Sequence, residues 1–243
     1  MSLIITTYAP EGIILAGDSR LTLNWNKEIN GHQTQFSITA SDSNRKVFAI
    51  KNKFGLGTFG AADIKGIPIS GYINQFIEEK ITDETNIDDI PQSLHEFFGD
   101  GLGKPETSFY LCGYKLENNI SVPHIYYVDI AHSQTNRINL DGTNIQYGAN
   151  WGGETEVMMR LLNNIKINNG TDWVELTTSG IPFNFFTLQD AIDFSIYAVR
   201  TTIETFRFQQ RIKTVGGPID ILAITTDGTN WIQNKELTAI NMP

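Results

Sequence analysis

Short apolar runs at residues 3 to 8 and 12 to 16 flank Pro10 and Gly12, which supply turn chemistry, so the chain is expected to begin with a β-hairpin. From 21 to 45 the pattern changes: Asn, Thr and Ser dominate and apolar residues alternate only weakly, which predicts a long extended hairpin arm or loop. The stretch KVFAIKNKFGLGTFG, Lys46 to Gly60, predicts a strand, a turn and a second strand ending at glycine. Apolar residues then recur at helical spacing between Ala61 and Lys80, through Ile64, Ile67, Tyr72, Ile73 and Phe76, with Pro68 and Gly71 bending or delaying that helix. A second helix is expected after Pro91, with Leu94, Phe97 and Phe98 on one face.

In the second half, TSFYLCGY and HIYYVDIA read as neighbouring strands joined by the polar KLENNISVP. The glycine-rich YGANWGG precedes a helix carrying Val157, Met158, Leu161 and Leu162. The clearest helix begins at Thr187, whose hydroxyl can cap the helix while Asp190 completes a Thr-x-x-Asp capping pattern. Its apolar face is expected to include Ala191, Phe194, Ile196, Ala198, Val199, Thr202, Ile203 and Phe206. VGGPIDILAITTDGTNWI predicts two strands around the turn TDGT. The order of strands, helices, strands, helices and strands predicts an α+β protein of two antiparallel sheets with helices packed outside them. With no linker or internal repeat, residues 1–243 are expected to form one domain.

Composition narrows the function classes. A formal charge of −9, with 18 Lys and Arg scattered along the chain, argues against nucleic acid as a partner, because phosphate binding needs a basic stripe. The longest apolar runs are too short for a membrane span, and no basic segment followed by an apolar stretch opens the chain as a secretory signal would. The one cysteine, Cys112, cannot form an internal disulfide, which fits the reducing cytoplasm. His32, His95, His124 and His132 show no metal-ligand spacing, so no metal is expected.

The segments EGIILAGDSRLT, RKVFAI and GTFGAAD, followed by LCGYK, PHIYYVDI, the glycine-rich turn at 148 to 153 and GGPIDILAIT, resemble in order the β-type proteasome family of N-terminal-nucleophile hydrolases. The resemblance covers nearly the whole chain and implies a four-layer αββα sandwich. It also implies a nucleophile sixteen residues before the acid of the GDSR-like motif, which is Ser2; Thr6 and Thr7 lie twelve and eleven residues before Asp18 and read as ordinary strand residues. Removal of Met1 would leave Ser2 with a free α-amine, whose pKa of about 7.7 to 8.0 suits it to take the hydroxyl proton. Nucleophile and base would then share one residue.

On the same resemblance Asp18 and Lys46 complete the catalytic set: the ammonium favours deprotonated nucleophile and the carboxylate keeps the lysine charged and oriented. Gly60, fourteen residues beyond Lys46, would present the oxyanion-hole N–H, while Thr58 and Ala62 would flank the pocket for the residue preceding the scissile bond. The implied partners are peptides or unfolded proteins, further copies of the chain in a ring, and a separate ATP-dependent unfoldase, with no cofactor. Three places depart from the family's pattern. The segment between Thr22 and Lys46 is lengthened, Ile212 and Val215 stand where the family often has an Asp and a Ser, and Gly153 is the nearest match to its supporting serine. A catalytically degenerate structural subunit is the alternative. A more distant one is dinucleotide binding through GLGTFG, residues 55 to 60, which fits G-x-G-x-x-G but lacks the following strand ending in an acid.

Overall fold

Residues 2–236 are described by the computed structural model, so Met1 and its removal lie outside the described residues. Strands β1 (Leu3–Ala9) and β2 (Gly12–Gly17) form the expected hairpin, with Ala9 opposite Gly12. Both strands are buried throughout, which is why they read as continuous apolar runs rather than alternating ones. The lengthened segment is a two-stranded arm, β3 (Leu21–Ile29) and β4 (His32–Ser41), closed by Asn30 and Gly31 at φ 52° and 78°. Positive φ at both turn positions matches the twist of the flanking strands. The next hairpin is β5 (Val47–Ile50) and β6 (Phe54–Gly60).

The helix expected from Ala61 starts later. Residues 61 to 68 instead hold the two-residue strands β7 (Asp63–Ile64) and β8 (Ile67–Pro68), and α1 (Ile69–Lys80) begins with Pro68 as its N-cap. Proline lacks the N–H that a helix interior requires, so it sits at the helix boundary. Helix α2 (Ile90–Leu94) carries Pro91 in its first turn and runs into a π-helical turn at His95–Asp100. Strands β9 (Thr107–Glu117) and β10 (Ile120–Asp129) pair around Asn118 and Asn119, both at positive φ.

Beyond them lie β11 (Gln134–Arg137), the short pair β12 (Leu140–Asp141) and β13 (Asn144–Ile145), and β14 (Gly148–Gly153). Helix α3 (Glu156–Leu162) is followed by a hairpin with no counterpart in the sequence reading, β15 (Ile165–Asn168) and β16 (Trp173–Leu176). Helix α4 (Leu188–Phe208) has the expected capping box between Thr187 and Asp190, and β17 (Asp220–Thr225) and β18 (Gly228–Gln233) end the described fold. None of the described helices is long and apolar enough to cross a membrane.

Two five-stranded antiparallel sheets result, in the orders β14-β1-β2-β17-β18 and β11-β10-β9-β6-β5. Alternation along each strand sends side chains to two faces, and the buried apolar residues fall into three clusters accordingly. Leu3, Ile5, Ile14 and Ala16 join Val157 of α3 and Ala191, Val199 and Phe206 of α4. Their neighbours Ile4, Ile13 and Leu15 join Val47, Phe59, Tyr110 and Cys112 of the other sheet. On that sheet Leu56, Phe109 and Val128 meet Ile73 and Phe76 of α1, Leu94 of α2 and Phe98.

The fold also explains GLGTFG. The motif lies within β6 rather than at a strand-to-helix turn, and a Cβ on Gly55 or Gly57 would fall 2.7 Å from Ile224 Cδ1 or 2.8 Å from Ile4 Cγ2. These glycines permit close approach of the two sheets, so the dinucleotide reading loses its structural context.

Candidate active site at the strand ends

Four chain segments meet where β1 starts, β2 and β6 end and β5 starts. Asp18, one residue past β2, is completely buried and accepts four hydrogen bonds: Oδ1 from the Leu3 N–H at 2.9 Å and the Lys46 ammonium at 2.7 Å, Oδ2 from the N–H groups of Arg20 at 3.1 Å and Gly216 at 3.0 Å. Lys46 is 2% exposed. Burial pushes its ammonium below the ordinary lysine range, and Asp18 opposes that shift. One carboxylate oxygen thus ties Lys46 to the amide that joins Ser2 to Leu3.

Ser2 is buried as well, and its carbonyl accepts the Glu154 N–H at 2.8 Å. Gly153, at φ 91°, makes that approach feasible, because a Cβ there would lie 1.8 Å from the Ser2 carbonyl oxygen. No side chain can stand at 153, so the family's supporting serine has no equivalent at that position. Next to it, the buried Glu154 accepts from the Thr214 hydroxyl at 2.6 Å and from Arg211 at 3.1 Å, while Arg211 also donates to Glu156 at 2.9 Å. The sequence reading missed this network; its faint signal is an acid after paired glycines and a Thr just before Val215. Ile212 is exposed and Val215 belongs to the apolar cluster under α4, so neither carries a polar group toward Ser2.

Gly60 closes β6 at φ 102°, and a Cβ there would meet the Glu106 carbonyl oxygen at 2.4 Å. It lines a cleft of about 380 Å³ together with Thr22, Asn24, Ala62, Asp63 and Glu106. Ala62 is therefore on the cleft wall. Thr58 is not: it is 2% exposed, and its hydroxyl faces the Thr107 hydroxyl at 3.4 Å inside the protein. Thr22 went unnoticed in the sequence; it lines the cleft, is 3% exposed, and its buried hydroxyl has no hydrogen-bond partner among the described residues.

The base of the arm is pinned here too. Arg20 makes a bidentate pair with Asp42 at 2.6 and 2.8 Å, and the two residues bracket β3 and β4. Gly216 and Gly217 leave room for it: a Cβ on the first would strike the Arg20 guanidinium at 2.6 Å, and one on the second the Asp42 carbonyl oxygen at 2.6 Å. Thr6 and Thr7 lie fully buried in β1, with Thr6 Oγ1 3.4 Å from Cys112 Sγ and Thr7 Oγ1 2.8 Å from Ser195 Oγ, as strand residues away from this cluster. No protein-family model matches the chain, and no curated protein matches it.

Proposed function

We propose that the chain is an N-terminal-nucleophile hydrolase of the β-type proteasome kind, its two sheets and three cores being those of a four-layer αββα sandwich. The observation that carries this reading is the buried Lys46–Asp18 pair joined through one carboxylate oxygen to the Leu3 amide, with Gly60 lining a cleft at the end of β6. An ion pair withdrawn from water this completely offers little net stability, so its placement beside Ser2 favours a chemical role.

Once residue 1 is removed, the Ser2 α-amine accepts the hydroxyl proton as Ser2 Oγ attacks the carbonyl carbon of a peptide bond. The Lys46 ammonium lowers the cost of the developing alkoxide, and the Gly60 N–H donates to the oxyanion. Collapse of the tetrahedral intermediate breaks the C–N bond, and the amine returns the proton to the leaving nitrogen. Water then hydrolyses the Ser2 ester and regenerates the hydroxyl. On this reading the protein works in the cytoplasm as a homo-oligomeric ring on peptides or unfolded proteins, supplied by an ATP-dependent unfoldase.

A structural, non-catalytic ring subunit is the second reading, favoured by the apolar Ile212 and Val215. Intact-protein mass before and after a peptide epoxyketone, a reagent that requires a free amine and hydroxyl on one residue, separates the two. Loss of Met1 with a single adduct, absent from Ser2→Ala, supports the hydrolase. A processed chain that takes no label supports the structural subunit.

A further inference from the structure

A second buried ion pair lies near the first, and the chemistry above does not use it. Asp220 opens β17 opposite Gly17, the residue before Asp18, and is 1% exposed. Beyond β18 the chain turns back across the start of β17: the Gln233 amide donates to the Ile219 carbonyl at 2.8 Å, and the Lys235 N–H donates to Asp220 Oδ1 at 2.9 Å. The Lys235 ammonium pairs with Asp220 Oδ2, and its side chain is 6% exposed. Among the described residues, the charged groups that act on it are Asp220 on β17, Arg45 and Lys46 ahead of β5, and Asp18 after β2. Burial, with Arg45 and Lys46, pushes the Lys235 ammonium down to about 8, against the pull of Asp18. Two lysines and two aspartates are thus withdrawn from water within reach of one another's fields. Such pairs add little net stability, so their adjacency favours a role in the chemistry at Ser2.

We propose that Lys235 is a positioning residue of the Ser2 site: held by Asp220, its ammonium sets a second buried positive charge beside Lys46 and so makes the Lys46 ammonium a better donor to the developing Ser2 alkoxide. The proposal rests on the hydrolase reading for its effect on rate, whereas the interaction between the two lysines stands without it. Like charges close together away from water raise the cost of holding both protons, so each lysine lowers the proton affinity of the other. A more acidic ammonium shares its proton more readily with an alkoxide. The contribution is present while Lys235 is protonated and is lost as pH rises through the Lys235 midpoint. Above that midpoint the parent carries the same charge at 235 as a methionine variant, whereas arginine there keeps its charge throughout.

Two measurements test it, one independent of catalysis. In Ser2→Ala protein made with carbon-13-labelled lysine, NMR follows the Lys235 side chain as pH is raised, its signal identified by its loss in Lys235→Arg. The midpoint is expected at about 8 and should move to higher pH when Lys46→Met removes the neighbouring charge. Where that variant fails to fold, Lys46→Met with Asp18→Asn replaces it and should shift the midpoint the same way, because Lys46 acts on Lys235 more strongly than Asp18 does. A midpoint that does not move overturns the proposal. In active protein the rate of epoxyketone adduct formation, read by intact mass, is compared across pH. Below the Lys235 midpoint the parent is expected to react roughly five- to tenfold faster than Lys235→Met, with the ratio falling close to one above it, while Lys235→Arg keeps the advantage on both sides. Circular dichroism melts establish folding; if Lys235→Met does not fold, Lys235→Met with Asp220→Asn, which leaves no unpaired charge, should show the same fall of the ratio with pH. A ratio that is constant with pH overturns the proposal, since a purely structural contact acts equally on both sides of the midpoint. Coupled lysines in protein that takes no label at any pH overturn the hydrolase reading and with it the role of Lys235 at Ser2.

Discussion

Asp18 gathers donors from four separate stretches of chain, Leu3, Arg20, Lys46 and Gly216, so both carboxylate oxygens are saturated and the residue has no freedom to turn. Removing Lys46 would leave that buried charge without the ammonium it pairs with. Lys46→Ala is expected to lower stability by about 3 to 5 kcal/mol in urea titrations, whereas the Asp18→Ala, Lys46→Ala double variant should cost less than the sum of the two singles. The pH dependence has a definite sign. Burial places the folded-state pKa of Lys46 below the unfolded value of 10.5, so between the two the unfolded chain binds more protons and the Lys46 contribution to stability rises with pH. Stability of the parent minus that of Lys46→Met should therefore increase across this alkaline window; a flat difference would contradict the assigned shift. Asp18, Lys46 and Gly60 were singled out through the resemblance carried by the strand-end segments that hold them. Glu154, Thr214 and Thr22 were not, since their partners lie far away in sequence or, for Thr22, are absent among the described residues.

Among the elements, β6 is the most tightly constrained. Its glycines face the other sheet, with Ile4 and Ile224 already where a Cβ would go. Gly57→Val is expected to cost about 1 to 3 kcal/mol through overpacking against Ile4 and Leu15, measured as a lower urea midpoint, while a valine at the open turn position Gly66 would act through its positive φ instead. The arm of β3 and β4 is built differently: among the described residues it pairs only with itself, its residues Leu23, Trp25, Phe36 and Ile38 share one face, and Trp25 stacks on Phe36 at 5.6 Å. Weak alternation there left an extended hairpin arm or a loop open and gave no register, which the Asn30–Gly31 turn sets. Helix α4 was the easiest element to read, because Thr187 and Asp190 announce its start and its apolar face repeats for 21 residues. Ile192 and Ser195 nonetheless join the buried face that the pattern assigned to Phe194, as the helix meets a broad sheet rather than a narrow groove.

At the scale of the whole molecule, Cys112 reports on the contact between the sheets. It is fully buried among Ile4, Leu15 and Tyr110 with its thiol pushed up to about 12 by desolvation. A thiol reagent should therefore label native protein only through unfolding, and the labelling rate should rise with urea in step with loss of global structure. Labelling without denaturant at the rate of a free thiol would mean that the sheets separate readily. The same interface fixes the distance between Lys46, on one sheet, and Asp18, on the other, so its rigidity is what holds the candidate catalytic pair.

Local chemistry in the chain determined the elements: apolar runs marked strands, turn residues marked hairpins, and a capping box marked the long helix, because each signal acts over a few residues. Tertiary structure decided which of those ends meet. The four donors on Asp18, the Glu154 network beneath Ser2 and the cleft beside Gly60 join positions up to 198 residues apart. Such contacts are set by sheet order and by the glycines that let backbones approach, and spacing along one strand holds no record of them.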